Sequence, residues 1–214
     1  MTSTPIDIAP LRTFVQEMTR LVERSADDEP TMIGEGREHL GRLVADDAWL
    51  PEAFTRRHPE FFQQYLLYCD PLERFSAVSF VWGPGQKTPA HDHTVWGLVG
   101  QLRGAERETP FERDAGGRLH MGDARVMTPG QFAAVSPTIG DIHVVANDVP
   151  DRASISIHVY GGNIGAVARH TFDPESGAMK DFVSGYSSEV VPNLWDRSAA
   201  VLSSLLARLT RPDT

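Results

Sequence analysis

From Leu11 onward apolar residues recur every three or four positions, at Leu11, Phe14, Val15, Met18, Leu21 and Val22. That spacing predicts an amphipathic helix. A second such face runs through Leu40, Leu43 and Val44, and Pro51 and Pro59 set off a short segment that ends in Phe61 to Leu67. No Gly/Ser-rich linker follows, so the helical part, about residues 9–70, is expected to pack on the same core as the rest.

Near Phe75 the texture changes. Runs rich in Val, Ile, Phe, Trp and Ser are cut by Gly83-Pro84-Gly85, Gly116-Gly117, Pro129-Gly130 and Gly161-Gly162. Many short strands with regular turn signals predict an antiparallel sandwich or barrel over about residues 75–172. Strands do not alternate with long helices, which argues against a doubly wound parallel sheet. A C-terminal extension, about residues 173–210, closes in a helix from Leu194 to Leu209, with Leu202, Leu205, Leu206 and Leu209 on one face. All 214 residues read as one mainly β domain flanked by helices.

Charge and composition narrow the function. A formal net charge of −9 with no basic run makes nucleic acid a poor partner. No apolar run approaches the ~20 residues of a membrane helix. The N-terminus lacks the basic and apolar regions of a signal peptide, so a cytoplasmic location is expected. The single cysteine, Cys69, excludes an intrachain disulfide framework or a Cys-rich metal site, which leaves eight histidines as the supply of borderline metal ligands.

His91 and His93 are separated by one residue in a β-like segment, so both imidazoles can project from one face. Fifty residues later, Gly140-Asp141-Ile142-His143 offers a third imidazole from another strand. Three neutral imidazoles suit a divalent iron, zinc, copper or nickel ion better than magnesium or calcium. Further on, Ser156, His158 and Tyr160 alternate with Ile155, Ile157 and Val159. Period 2 puts a hydroxyl, an imidazole and a phenol on one strand face, where they can form a hydrogen-bonded line.

Gly85, His91, His93, Gly97 and Gly104, with Gly130, Pro137, Gly140, His143 and Asn147, resemble the two motifs of the cupin superfamily, a double-stranded β-helix fold. Gly97 stands where many cupins carry a glutamate ligand. Together with Ser156-Ile157-His158-Val159-Tyr160, the chain from roughly Gln63 to Trp195 resembles the thiol dioxygenases of the cysteine dioxygenase family. The resemblance implies that His91, His93 and His143 hold Fe(2+), with Ser156, His158 and Tyr160 as a triad beside it. It implies a small thiol carboxylate and O2 as substrates and a sulfinic acid as product.

Cys69 lies far from the H-x-H pair and Gly97 occupies the region where some members carry a crosslinking cysteine, so no Cys–Tyr cofactor is expected. At the position where cysteine-specific members hold the substrate carboxylate with arginine, this chain has glutamine, aligned as Gln64 with Gln63 as the alternative. That likens it to the bacterial 3-mercaptopropionate dioxygenase branch. A neutral amide replaces a bidentate cation there, so the carboxylate needs another partner, for which Tyr160 and Arg169 are candidates. Dioxygenation of L-cysteine, a non-catalytic metal-binding cupin, and a metal-dependent isomerase or decarboxylase are the alternatives. Trp82, Trp96 and Trp195 are expected in the core or pocket wall, and His39, His58, His120 and His170 at the surface.

Overall fold

The computed structural model describes residues 7–188 and 198–209. Two helices come first, α1 (Ala9–Ser25) and α2 (Glu29–Leu43). The intended face of α1 is buried, with Phe14, Met18, Leu21 and Val22 inside. Asp28 starts α2 by accepting a hydrogen bond from the Thr31 amide at 3.2 Å, which satisfies one of the unpaired donors of a first helical turn. Helix does not continue to residue 70. A single 3-10 turn (Glu52–Phe54) is followed by strand β1 (Gln63–Cys69).

Eleven more strands follow. They are β2 (Ser76–Trp82), β3 (Ala90–His91), β4 (Gly97–Arg103), β5 (Glu106–Arg113), β6 (Leu119–Met121) and β7 (Arg125–Met127), then β8 (Phe132–Val135), β9 (Ile142–Asn147), β10 (Ser154–Tyr160), β11 (Arg169–Phe172) and β12 (Met179–Phe182). The sheet region therefore starts before Phe75 and extends past Phe172, because β1 and β12 add edges that the sequence pattern had assigned to the flanks. The last described element is α3 (Ser198–Leu209); Leu194 and Trp195 lie outside the described residues.

The strands form two antiparallel sheets, one in the order β1-β2-β10-β4-β8 and the other in the order β12-β11-β3-β9-β5-β6, with β7 also paired to β5. This is the mainly β fold, two antiparallel sheets flanked by helices, that the strand pattern predicts. Strand β10 lies between β2 and β4, so its two faces meet different layers. Ile155, Ile157 and Val159 join Ala77, Val81 and Leu98 in a core closed by α1 and α2. Ser156, His158 and Tyr160 take the opposite, inward face, where Val78, Phe80 and Trp82 of β2 form a second apolar cluster with Val145 and Tyr160. Every residue of β10 is buried. The polar face of this strand is thus enclosed rather than solvated, and each of its groups needs a protein partner.

Gly97 pairs directly across from Tyr160. A Cβ on Gly97 would lie 2.9 Å from Tyr160 Cδ1 and 2.9 Å from Val135 Cγ2. The tyrosine ring fills the space that a side chain at position 97 would need, so neither a carboxylate ligand nor a cysteine fits there. Among the described residues no helix is long and apolar enough to cross a membrane.

Candidate metal centre and its cavity

His91 of β3 pairs directly with His143 of β9, and cross-strand partners bring their side chains close together. His93 comes two residues later, just past the end of β3. The three rings then face one another with centroids 4.8 to 4.9 Å apart, and one nitrogen from each lies within 4.8 Å of the others. All three histidines are buried.

Every ring is held from behind through Nδ1. His91 Nδ1 meets the Pro89 carbonyl at 3.1 Å, His93 Nδ1 meets Asp141 Oδ1 at 2.9 Å, and His143 Nδ1 meets Glu108 Oε1 at 2.9 Å. With Nδ1 so engaged, Nε2 is the nitrogen left to converge, the usual arrangement behind metal-bound imidazoles. Burial, reinforced by the neighbouring imidazoles, holds His91 and His93 well below the ordinary histidine range, so both rings are neutral and ready to donate a lone pair.

Two carboxylates stand behind these imidazoles. Asp141 accepts from the His93 amide at 3.0 Å and the Thr94 amide at 2.8 Å as well as meeting the His93 ring. It thereby pins the left-handed turn at Thr94 (φ 59°), a conformation that a β-branched residue avoids when nothing holds it. Burial raises the Asp141 carboxyl. Burial would also raise Glu108, but its hydrogen bond with His143 and its pairing with Arg125 (2.7 Å) outweigh that and hold it down at about 2. Asp141 had a signal in the sequence, two residues before His143. Glu108 had none, since only the β5–β9 register brings it there.

The donor set fits a divalent borderline ion. It offers three imidazoles, with no acidic side chain in the group among the described residues, and two carboxylates one bond removed offset the charge. Replacing Glu108 by Gln keeps the shape and removes that anion. Metal affinity in Glu108→Gln is expected to fall by about 10- to 100-fold, measured by competition with a chelator.

Beside the imidazoles runs the line anticipated from β10. Ser156 Oγ and His158 Nε2 are 2.8 Å apart, and His158 Nδ1 and Tyr160 Oη are 2.8 Å apart. The Tyr160 ring stacks on His93 at 5.4 Å, so the far end of the line reaches the metal group. Burial lowers His158 to about 3, with the nearby His143 adding to it, so this imidazole is neutral. Burial raises the Tyr160 phenol, which therefore keeps its proton.

A cavity of about 500 Å³ opens onto His91, His143, His158 and Tyr160. Phe62, Phe80 and Trp82 form its apolar wall, with Phe80 4.3 Å from the His158 ring. Gln64 lines it and is buried, whereas Gln63 turns its amide to the Phe62 carbonyl. The opposite wall is residues 184–187, strapped to β1 by the Ser187 amide donating to the Gln64 carbonyl at 2.8 Å. Cys69 lies buried at the end of β1, outside the lining.

Arg169 also lines the cavity, and only 3% of it is exposed. Its Nη2 donates to Ser184 Oγ at 2.8 Å, its guanidinium lies 4.6 Å from the Phe182 ring centre, and its Nε has no hydrogen-bond partner among the described residues. The Gln64 amide donates to the same Ser184 Oγ at 3.1 Å. Among the described residues no carboxylate pairs with Arg169, although burial already lowers its affinity for a proton. Such a cation is costly unless an anion joins it.

Of the remaining expectations, Trp82 is buried in the cavity wall and Trp96 packs beside the helical core. His120 is exposed, but His39, His58 and His170 are only partly so. His170 is tied to Asp92 at 2.7 Å, because β11 pairs with β3.

No protein-family model matches the chain. Among solved structures it is similar to a double-stranded β-helix domain protein of Klebsiella pneumoniae, at 15% identity over 59% of this chain and 84% of that one, with a TM-score of 0.41. A cupin superfamily protein of Desulfitobacterium hafniense is 16% identical over 52% and 87%, TM-score 0.39. A cupin-like protein of Thermotoga maritima is 18% identical over 54% and 80%, TM-score 0.38.

Proposed function

We propose that the protein is a non-haem iron(II) thiol dioxygenase that converts a small mercapto-carboxylate, 3-mercaptopropionate in the first instance, to its sulfinic acid. The balance is R–SH + O2 → R–SO2H, with both oxygen atoms ending on sulfur. A bound ferrous ion supplies a Lewis-acidic seat for the thiolate and the electrons that activate O2. His91, His93 and His143 would hold it.

The observation that carries this reading is the meeting of three features in one cavity. They are the edges of a three-imidazole group, the phenol of a buried Ser–His–Tyr line, and a guanidinium that pairs with no carboxylate among the described residues. A thiol carboxylate answers all three, since its sulfur suits the metal group and its carboxylate suits Arg169. The aromatic wall of Phe62, Phe80 and Trp82 excludes water from the methylene chain between them. Tyr160, which keeps its proton and is held by His158, lays its ring against His93 of the three-imidazole group. Gln64 and Ser184 add neutral partners around the guanidinium, which makes the anion-binding corner a composite of strand β1 and the strap.

Oxygen uptake by iron-loaded protein with 3-mercaptopropionate, L-cysteine and 2-mercaptoethanol, with sulfinate identified by NMR, tests the reading. Uptake coupled to 3-sulfinopropionate is the expected result. A clearly higher kcat/KM for L-cysteine overturns the substrate. Tightly held zinc or nickel and no sulfinate from any thiol overturns the reaction in favour of a non-catalytic metal-binding protein.

A further inference from the structure

We infer that Glu106 is a positioning residue at the buried end of the Ser156–His158–Tyr160 line, and that its protonation sets which way the hydrogen bonds of that line point. For its effect on turnover this rests on the dioxygenase reading; the hydrogen-bond reversal itself does not.

Glu106 begins β5 and is fully buried, as are Gln101, Ser154 and Ser156 around it. Its Oε1 accepts from Gln101 Nε2 at 3.2 Å. Among the described residues its Oε2 has no hydrogen-bond partner, and neither do Ser154 Oγ and Gln101 Oε1. Gln101, which bonds this carboxyl, sits directly across from Ser156 in the β4–β10 register, and Ser156 and Ser154 both pull on the carboxyl.

Among the described residues no charged group faces this carboxyl. On its own strand Arg107 turns to Asp148 and Glu108 to His143 and Arg125, while Arg103 of β4 turns to Asp47. The residues paired with it across the sheet are Met127 of β7 and Asn147 of β9. Strand β10 presents only the two serines, and from β2 the Trp82 indole reaches the same Ser156. With no cation beside it, burial pushes Glu106 up to about 7, against the pull of Ser156, Gln101 and Ser154.

Proton counting gives the consequence. Ser156 has one proton and two lone pairs, and Trp82 Nε1 takes one lone pair at 3.4 Å. When Glu106 is ionised, Ser156 donates to it, His158 donates from Nε2 to Ser156, and Tyr160 spends its proton on His158 Nδ1. When Glu106 takes one proton from solvent, it donates to Ser156, Ser156 donates to His158 Nε2, and His158 Nδ1–H donates to Tyr160. The phenol proton is then free to point into the cavity. Serine, histidine and tyrosine each hold one proton in both states, and only the histidine tautomer and the hydroxyl directions change.

The tautomer is the readout. In metal-free protein, 15N NMR of His158 from about pH 5.5 to about pH 8.5 is expected to show Nδ1–H at the acid end and Nε2–H at the alkaline end, with the midpoint where the Glu106 carboxyl titrates in the infrared. Glu106→Gln, nearly isosteric, is expected to hold one tautomer across that range, and Ser156→Ala to uncouple the histidine from the carboxyl. In iron-loaded Glu106→Gln the neutral-pH limb of kcat is expected to vanish while KM moves by less than about twofold; a purely structural loss would lower kcat equally at every pH.

A carboxyl that titrates while the His158 tautomer stays fixed overturns the inference, because the proton then goes to Gln101. A tautomer change that survives in Glu106→Gln overturns it too. A tautomer that follows Glu106 in a protein without thiol oxidation supports this inference and overturns the proposed function instead.

Discussion

His143→Ala is expected to abolish thiol oxidation and to reduce bound metal by at least about 100-fold. Measured together, metal content and sulfinate formation should fall in step. The magnitude follows from losing one of three imidazoles in a group with no acidic side chain among the described residues to take its place, when even the carboxylates behind such ligands each account for about 10- to 100-fold. The variant also leaves Glu108 buried beside Arg125 without its imidazole, so folding should be checked by circular dichroism. Full iron occupancy in a folded His143→Ala protein would remove the basis for the site.

Arg169→Met is expected to raise KM for 3-mercaptopropionate and lower kcat/KM by about 10²- to 10³-fold, which corresponds to about 3–4 kcal/mol, the range for truncating one member of a buried charge pair. Turnover of 2-mercaptoethanol, which has no carboxylate, should change by less than about threefold. That contrast separates loss of an anion partner from general damage to the cavity. Arg169→Lys should recover only part of the effect, because an ammonium is a point charge without the planar fork. Substrate-free Arg169→Met should melt no lower than the unaltered protein, since it removes a buried cation that has no carboxylate partner among the described residues. An equal loss on both thiols would place the carboxylate elsewhere.

Much of this architecture is legible in the chain because it follows from local rules. The faces of α1 and β10 follow from side-chain periodicity, and the turn glycines mark where strands stop. The segment Gln63–Cys69 was not legible as a strand. Its run of glutamine, tyrosine and leucine has no alternation, and it becomes β1 because β2 offers an edge to pair with. The short β12 is likewise three-quarters exposed positions that only pairing with β11 organises.

The site divides in the same way. The identities and spacing of His91, His93, His143, Ser156, His158 and Tyr160 are written in the sequence, and strand geometry alone says which of them can share a face. Strand register then decides everything between elements. It sets His91 opposite His143, leaves Gly97 bare beneath the Tyr160 ring, and brings Glu108 and Asp141 behind two of the imidazoles. It also turns Gln64 rather than Gln63 to the cavity and places Arg169 there without a carboxylate partner among the described residues. Hydrogen-bond and charge partners lie tens of residues away along the chain, and no local propensity encodes them. The order of residues thus sets the chemical groups and the face each occupies; folding supplies their partners and, through burial, their charge.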